Sequence, residues 1–162
     1  MPLFLLLIFI FINGCNTLEN NETVSSNSKA SSCGGFKALS KKAAYDYQQD
    51  SLDYCISEKL RWKYEPATNV LSLIHTRNLQ NCAADLKMAV VLQDGVYQIR
   101  EYDYSKEQMD CLCYFDTFCE INNCDETTIT VNLESNNYQI DLSQGTGFFD
   151  IDTVQGWPCL YN

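Results

Sequence analysis

The chain has 162 residues and a formal net charge of −10. Setting aside its apolar first segment and the polar stretch that follows leaves about 130 residues for a folded region, the size of one domain with a core of its own. An acidic chain without a basic stripe repels phosphate backbones and anionic lipid, so nucleic acid is excluded as a partner and membrane contact is expected only through the N-terminus.

Residues 3–12 are an uninterrupted apolar run. A spanning helix needs about twenty such residues, so residues 1–14 read as a signal peptide rather than a transmembrane segment. The run ends in Ile12, Asn13, Gly14 and Cys15. This resembles the lipobox of bacterial lipoproteins: an aliphatic residue, a small residue, Gly or Ala, then Cys. The resemblance implies that Cys15 is acylated, becomes the N-terminus after cleavage, and holds the chain to the membrane of the bacterial cell envelope. Asn13 stands where Ser or Ala is usual, and no Lys or Arg precedes the run. An ordinary secretory signal cut nearby is the alternative, and either implies export. Asn16 is not the Asp that retains many lipoproteins at the inner membrane, which points to the outer membrane.

Residues 15–32 hold almost nothing apolar and read as the lipidated cysteine and a disordered tether, ahead of a single domain at 33–162. Over residues 36–58 the spacing of Phe36, Leu39, Ala43 and Tyr47 allows one short helix. From Leu60 onward the period is two. Leu60, Trp62 and Tyr64 alternate with Arg61, Lys63 and Glu65, and a turn at residues 66–69 leads into a strand from Val70 to Thr76. That turn pairs Tyr64 with Leu71, Trp62 with Leu73 and Leu60 with His75. Asp94 and Gly95 form a two-residue turn signal that sets Leu92 opposite Tyr97 and Val90 opposite Ile99. A third turn, placed at Asn136 and Asn137, opposes Leu133 to Ile140 and Val131 to Leu142. A slip of one residue would turn all these side chains into water. The expected fold is all-β: a disulfide-braced antiparallel sandwich of immunoglobulin-like arrangement, with a small barrel as the alternative.

The nine cysteines are Cys15, Cys33, Cys55, Cys82, Cys111, Cys113, Cys119, Cys124 and Cys159. Assigning Cys15 to lipid leaves eight, an even number as a disulfide framework requires in an exported protein. Cys111 and Cys113 share one side of a strand, so each needs a partner on a different segment. The alternative is a soft-metal or thiol-redox site built from His75, Cys82, Cys111 and Cys113. His75, the only histidine, shares a face with Leu71 and Leu73 and is expected to be buried against a carbonyl or carboxylate. No nucleophile elbow, Gly-rich oxyanion loop or EF-hand spacing occurs, so no catalytic residue and no cofactor is assigned. The carboxylates Asp116, Asp125, Glu126, Asp150 and Asp152 read mainly as solvated surface, with Asp116 suited to bonding a turn backbone. Tyr102, Tyr104 and Tyr114 read first as packing between sheets, with an exposed contact patch as the alternative.

Taken together, Trp62, Tyr64, Leu71, Leu73 and His75 with Asn81-Cys82 and then Cys111, Cys113, Phe115 and Asp116 resemble a group of small bacterial lipoproteins without an established activity. The likeness spans residues 62–142 and implies a β domain with an Asn-Cys-Cys element and a Cys-x-Cys-x-Phe-Asp element. Ala83 stands where the second cysteine of the first element would fall. The resemblance makes Cys82 the first partner for the Cys111/Cys113 strand, with Cys55 ahead of Cys33 for the other thiol. Cys119 with Cys124 and Cys33 with Cys159 complete that scheme. The functional expectation is an envelope module that binds a protein or glycan, with the metal or redox module as its competitor.

Overall fold

The chain forms ten strands, most of them alternating apolar and polar residues: β1 (Glu22–Thr23), β2 (Ser25–Ala30), β3 (Glu58–Glu65), β4 (Val70–Asn81), β5 (Leu86–Gln93), β6 (Val96–Asp103), β7 (Leu112–Ile121), β8 (Thr128–Leu133), β9 (Asn136–Asp141) and β10 (Thr146–Asp152). They belong to a computed structural model that describes residues 22–36 and 58–152. Residues 1–21, most of the helix considered over 36–58, Cys55 and Cys159 lie outside the described residues. Two five-stranded sheets result, ordered β1–β5–β6–β8–β9 and β10–β3–β4–β7–β2, in a sandwich-like arrangement with no α-helix among the described residues.

Leu60, Trp62, Leu71, Leu73, Cys119 and Ile121 of the second sheet meet Met88, Val90, Ile99, Val131, Leu133 and Ile140 of the first in one core. Each large aliphatic side chain removed from water there contributes about 1.5–3 kcal/mol. Gly147 pairs with Trp62, and a Cβ at that position would lie 2.8 Å from the indole, so the ring occupies the space of the missing side chain.

Two hairpins have the expected registers. β3 and β4 pair Tyr64 with Leu71, Trp62 with Leu73 and Leu60 with His75, and β5 and β6 pair Leu92 with Tyr97 and Val90 with Ile99. Leu92→Asp is therefore expected to destabilise by about 2–3 kcal/mol, because its side chain packs on the core, and Gln93→Asp by under about 1. Urea titrations of the two variants compare them, and equal losses would contradict this register.

Three expectations are corrected. The third hairpin turns at Glu134 and Ser135, both at positive φ, and pairs Leu133 with Asn136, Val131 with Tyr138 and Ile129 with Ile140. Moving a two-residue turn by two positions keeps the same side chains inward, so alternation does not separate the two registers. The sheets are not wholly antiparallel, since β6 and β8 pair in parallel. Between them the chain crosses to the other sheet as β7 and returns, and the two reversals leave β8 running in the direction of β6.

The third correction concerns the tether, because strands begin at Glu22. Residues 22–30 are polar, yet they complete two sheet edges, β1 against β5 and β2 against β7. The Val24 N–H donates to the Val90 carbonyl at 2.9 Å. The Ser25 and Ser28 hydroxyls accept the N–H groups of Val90 and Met88 at 2.8 and 2.9 Å, where a further strand would otherwise bond. Backbone and hydroxyl hydrogen bonds, with Val24 and Ala30 packed on apolar neighbours, offset an ordering cost that the composition alone does not.

Candidate binding surface and the polar bridge beneath it

His75 is fully buried, at 0% exposure, in the middle of β4. Its Nε2 lies 2.6 Å from Glu58 Oε1 of β3, and its Nδ1 lies 3.0 Å from Glu101 Oε2 of β6. Glu101 also accepts from the Thr117 hydroxyl and from Asn78 Nδ2, whose Oδ1 in turn accepts from Gln80 Nε2 at 2.7 Å. The network ties one sheet to the other. Burial by itself lowers the imidazole pKa, but hydrogen bonds and charge from Glu101 and Glu58 outweigh it and raise the pKa to about 10. Both ring nitrogens are then donors, each facing a different carboxylate. Among the described residues no Ser or Cys side chain is hydrogen-bonded to the ring, and the imidazole forms a buried ionic bridge between two carboxylates.

A bulge gives β4 a second phase. His75 pairs with Thr117 and Asn78 with Phe115, so Thr76 and Arg77 together face Asp116, and Arg77 has φ 65°. The extra residue points Asn78 inward to Glu101 and turns Leu79 out to solvent. Asp116 secures the bulge. Its carboxylate accepts the N–H of Arg77 at 3.0 Å and that of Phe36 at 3.1 Å. Burial pushes this carboxyl above its ordinary range, and the two N–H groups pull it back in part.

Beyond the bulge, four segments meet at one end of the sandwich: the end of β4, the start of β5, the end of β6 with loop 104–111, and the start of β7. Six large hydrophobic side chains are exposed among the described residues, and five are at this end: Leu79 (47%), Tyr102 (40%), Tyr104 (56%), Met109 (53%) and Leu112 (59%). The sixth, Phe148, lies under the Lys59 ammonium, 4.2 Å from its ring centroid. Exposed apolar side chains gathered in one region mark interaction surfaces. The Tyr102 and Tyr104 rings are 6.3 Å apart, with Lys87 over Tyr104 at 5.2 Å. Tyr114 is partly buried beneath the Arg77 guanidinium at 4.3 Å, so it does not join them in full exposure.

This end is held firmly. Asn81 donates to the Met109 carbonyl at 2.6 Å and accepts the Met109 N–H at 3.0 Å, as a strand neighbour would. Asp103 accepts the N–H groups of Ser105 and Asp85 at 2.8 and 3.0 Å, which hold its carboxyl below the usual range. Disulfides join Cys82 to Cys111 and Cys33 to Cys113, each with Cα atoms 5.6 Å apart. β7 is thus stapled to the segment after β4 on one side and to the segment after β2 on the other.

Cys82 is a partner as expected, and the rest of the pairing scheme is corrected. Cys33 rather than Cys55 takes Cys113, because pairing of β2 with β7 delivers residues 31–34 beside it, where the Gly34 N–H bonds the Tyr114 carbonyl. That also removes Cys33 from a bridge to Cys159. Cys119 and Cys124 are free and buried. β7 continues to Ile121, so the residues after Cys119 do not form a hairpin loop, and Cys119 is held opposite Leu73. The soft-metal set is not assembled either: Cys82, Cys111 and Cys113 are in disulfides and His75 is between two glutamates.

Burial, with nearby carboxylates, pushes both free thiols up to about 12, which removes the nucleophilic thiolate at neutral pH. A thiol reagent is expected to leave Cys119 and Cys124 untouched in the native protein and to reach both after denaturation. Rapid native labelling of either, located by peptide mapping, would contradict their burial. Comparison of the chain with known protein families, with curated proteins and with solved structures finds no match.

Proposed function

We propose that the protein is a lipid-anchored module of the bacterial cell envelope, probing its surroundings with the apolar end of a disulfide-braced sandwich and binding a partner protein there. The observation that carries this reading is the gathering of Leu79, Tyr102, Tyr104, Met109 and Leu112 on segments fixed by the Cys82–Cys111 bridge and the Asn81 clamp. Tyr and Met are favoured at the centres of interfaces, and a preorganised loop loses little entropy on binding. Anchoring rests on the Ile12–Cys15 lipobox, and kinship with small bacterial lipoproteins on the residues shared with that group. Two five-stranded sheets around one core support an immunoglobulin-like arrangement, from which the parallel β6–β8 pair departs.

Two measurements test the reading. Cys15→Ser is expected to abolish incorporation of a palmitate analogue and to release the chain from the membrane fraction, and unchanged labelling would remove the anchor. The double variant Tyr104→Asp, Leu112→Asp is expected to fold with stability within about 1 kcal/mol of wild type, since both side chains are exposed. Solubilised from native envelopes in mild detergent, wild type should sediment as a larger complex and the variant alone. Identical sedimentation of the two would contradict binding through this end.

A further inference from the structure

We infer that the domain is held with the end bearing turns 66–69, 94–95 and 122–127 toward its anchoring bilayer, and that the apolar end at Met109 and Leu112 points away and is kept off that lipid. The inference rests on acylation of Cys15 and goes further, to the orientation that the fold imposes on an anchored chain. Glu22 pairs with Leu92, two residues before Asp94, and Ser25 pairs with Ile121, just before the 122–127 turn. The chain therefore enters the sandwich at that end and climbs along β2 toward the other.

Seven Cα steps separate Cys15 from Glu22. Seven steps reach at most about 25 Å. From Ile121 to Leu112, β7 runs nine steps, roughly 30 Å at strand rise. Setting Leu112 on the headgroups with the sandwich inverted would lift Glu22 some 30 Å above them, beyond the roughly 25 Å of chain available. The upright orientation needs no such extension. Lipid would favour the opposite arrangement, since the apolar side chains are at the far end while Glu65, Asp94, Asp125 and Glu126 are exposed at the near one. Tether length decides between them, and it leaves Tyr104, Met109 and Leu112 for a partner beyond the anchoring bilayer.

Energy transfer tests this on the full acylated chain in phosphatidylethanolamine and phosphatidylglycerol vesicles carrying an acceptor-labelled lipid. An azide-bearing amino acid replaces Asp94 in one sample and Glu107 in another, and each is coupled to a donor dye. Transfer from position 94 is expected to exceed that from 107 at least about two-fold, given the roughly 30 Å between the ends. Inserting about twenty Gly and Ser residues after Asn16 should bring the two values together, because the extended reach then rises to about 90 Å and no longer dictates which end meets the bilayer. Equal transfer in the natural-length chain, or greater transfer from 107, overturns the orientation while flotation with the vesicles leaves the anchor standing. Failure of the wild-type chain to float overturns the anchor, and the orientation with it.

Discussion

His75→Gln is expected to cost about 3–5 kcal/mol at pH 7, the penalty of leaving a buried carboxylate without its charge partner. Its pH dependence separates this cause from simple loss of packing. The folded pKa of about 10 lies above the unfolded value of 6.5, so the fold holds a proton that the unfolded chain releases. The contribution is complete below pH 6.5 and declines as pH rises toward 10. The buried thiols and Tyr97 are also raised, but their ordinary values of 9 and 10 place their losses higher. Between pH 6.5 and about 9, wild type should therefore lose roughly 3 kcal/mol that the variant does not, at about 1.4 kcal/mol per pH unit. Urea titrations at several pH values give both slopes. Parallel slopes would show that His75 is not protonated between its glutamates.

Removing the disulfides as pairs should be as costly. In the chain-entropy model, Cys33→Ser with Cys113→Ser loses about 4–5 kcal/mol for a sequence separation of 80, and Cys82→Ser with Cys111→Ser about 3–4 for a separation of 29. The order should reverse for local opening. The second pair, not the first, frees loop 104–111, so tryptic cleavage at Lys106 should accelerate only when Cys82 and Cys111 are replaced. Thermal denaturation gives the global loss and limited proteolysis the local one. Acceleration from the Cys33–Cys113 variant alone would show that the Asn81 clamp and the Cys82–Cys111 bridge do not hold the loop.

Much of the frame was legible where turn chemistry and alternation agreed. Asp94-Gly95 and the Pro66–Asn69 turn each allow few registers, and the apolar residues beside them select one. At Glu134-Ser135 neither residue advertises a positive φ as Asn-Asn does, and alternation alone tolerates an even shift. Strands β1 and β2 were not legible in composition. Their order comes from edges supplied by residues roughly 70 to 95 positions away, and from hydroxyls that mimic a strand. The bulge at Arg77 leaves no pattern either, since its φ is set by the Asp116 carboxylate from the neighbouring strand.

The polar bridge was within reach of the pattern. Glu58 has the inward phase of Leu60 and Trp62, and Glu101 that of Tyr97 and Ile99. Carrying both alternations one step further brings two carboxylates into the space that holds the lone histidine. Both fall at strand ends, where a charged residue ordinarily marks the exit to solvent. The exposed end was less legible. Leu79 has the inward phase of Leu71, Leu73 and His75, and only the bulge turns it out, whereas Leu112 has the outward phase opposite Cys113 and Phe115.

The most direct test of binding through the apolar end is a photo-crosslinking scan in intact envelopes. A photoreactive amino acid at Tyr104, Met109 or Leu112 is expected to give a covalent adduct with one partner protein. The same group at Asn137 or Gln139, exposed on β9, is expected to give none. Adducts from β9 but not from the apolar end, or equal adducts from both, would contradict the account.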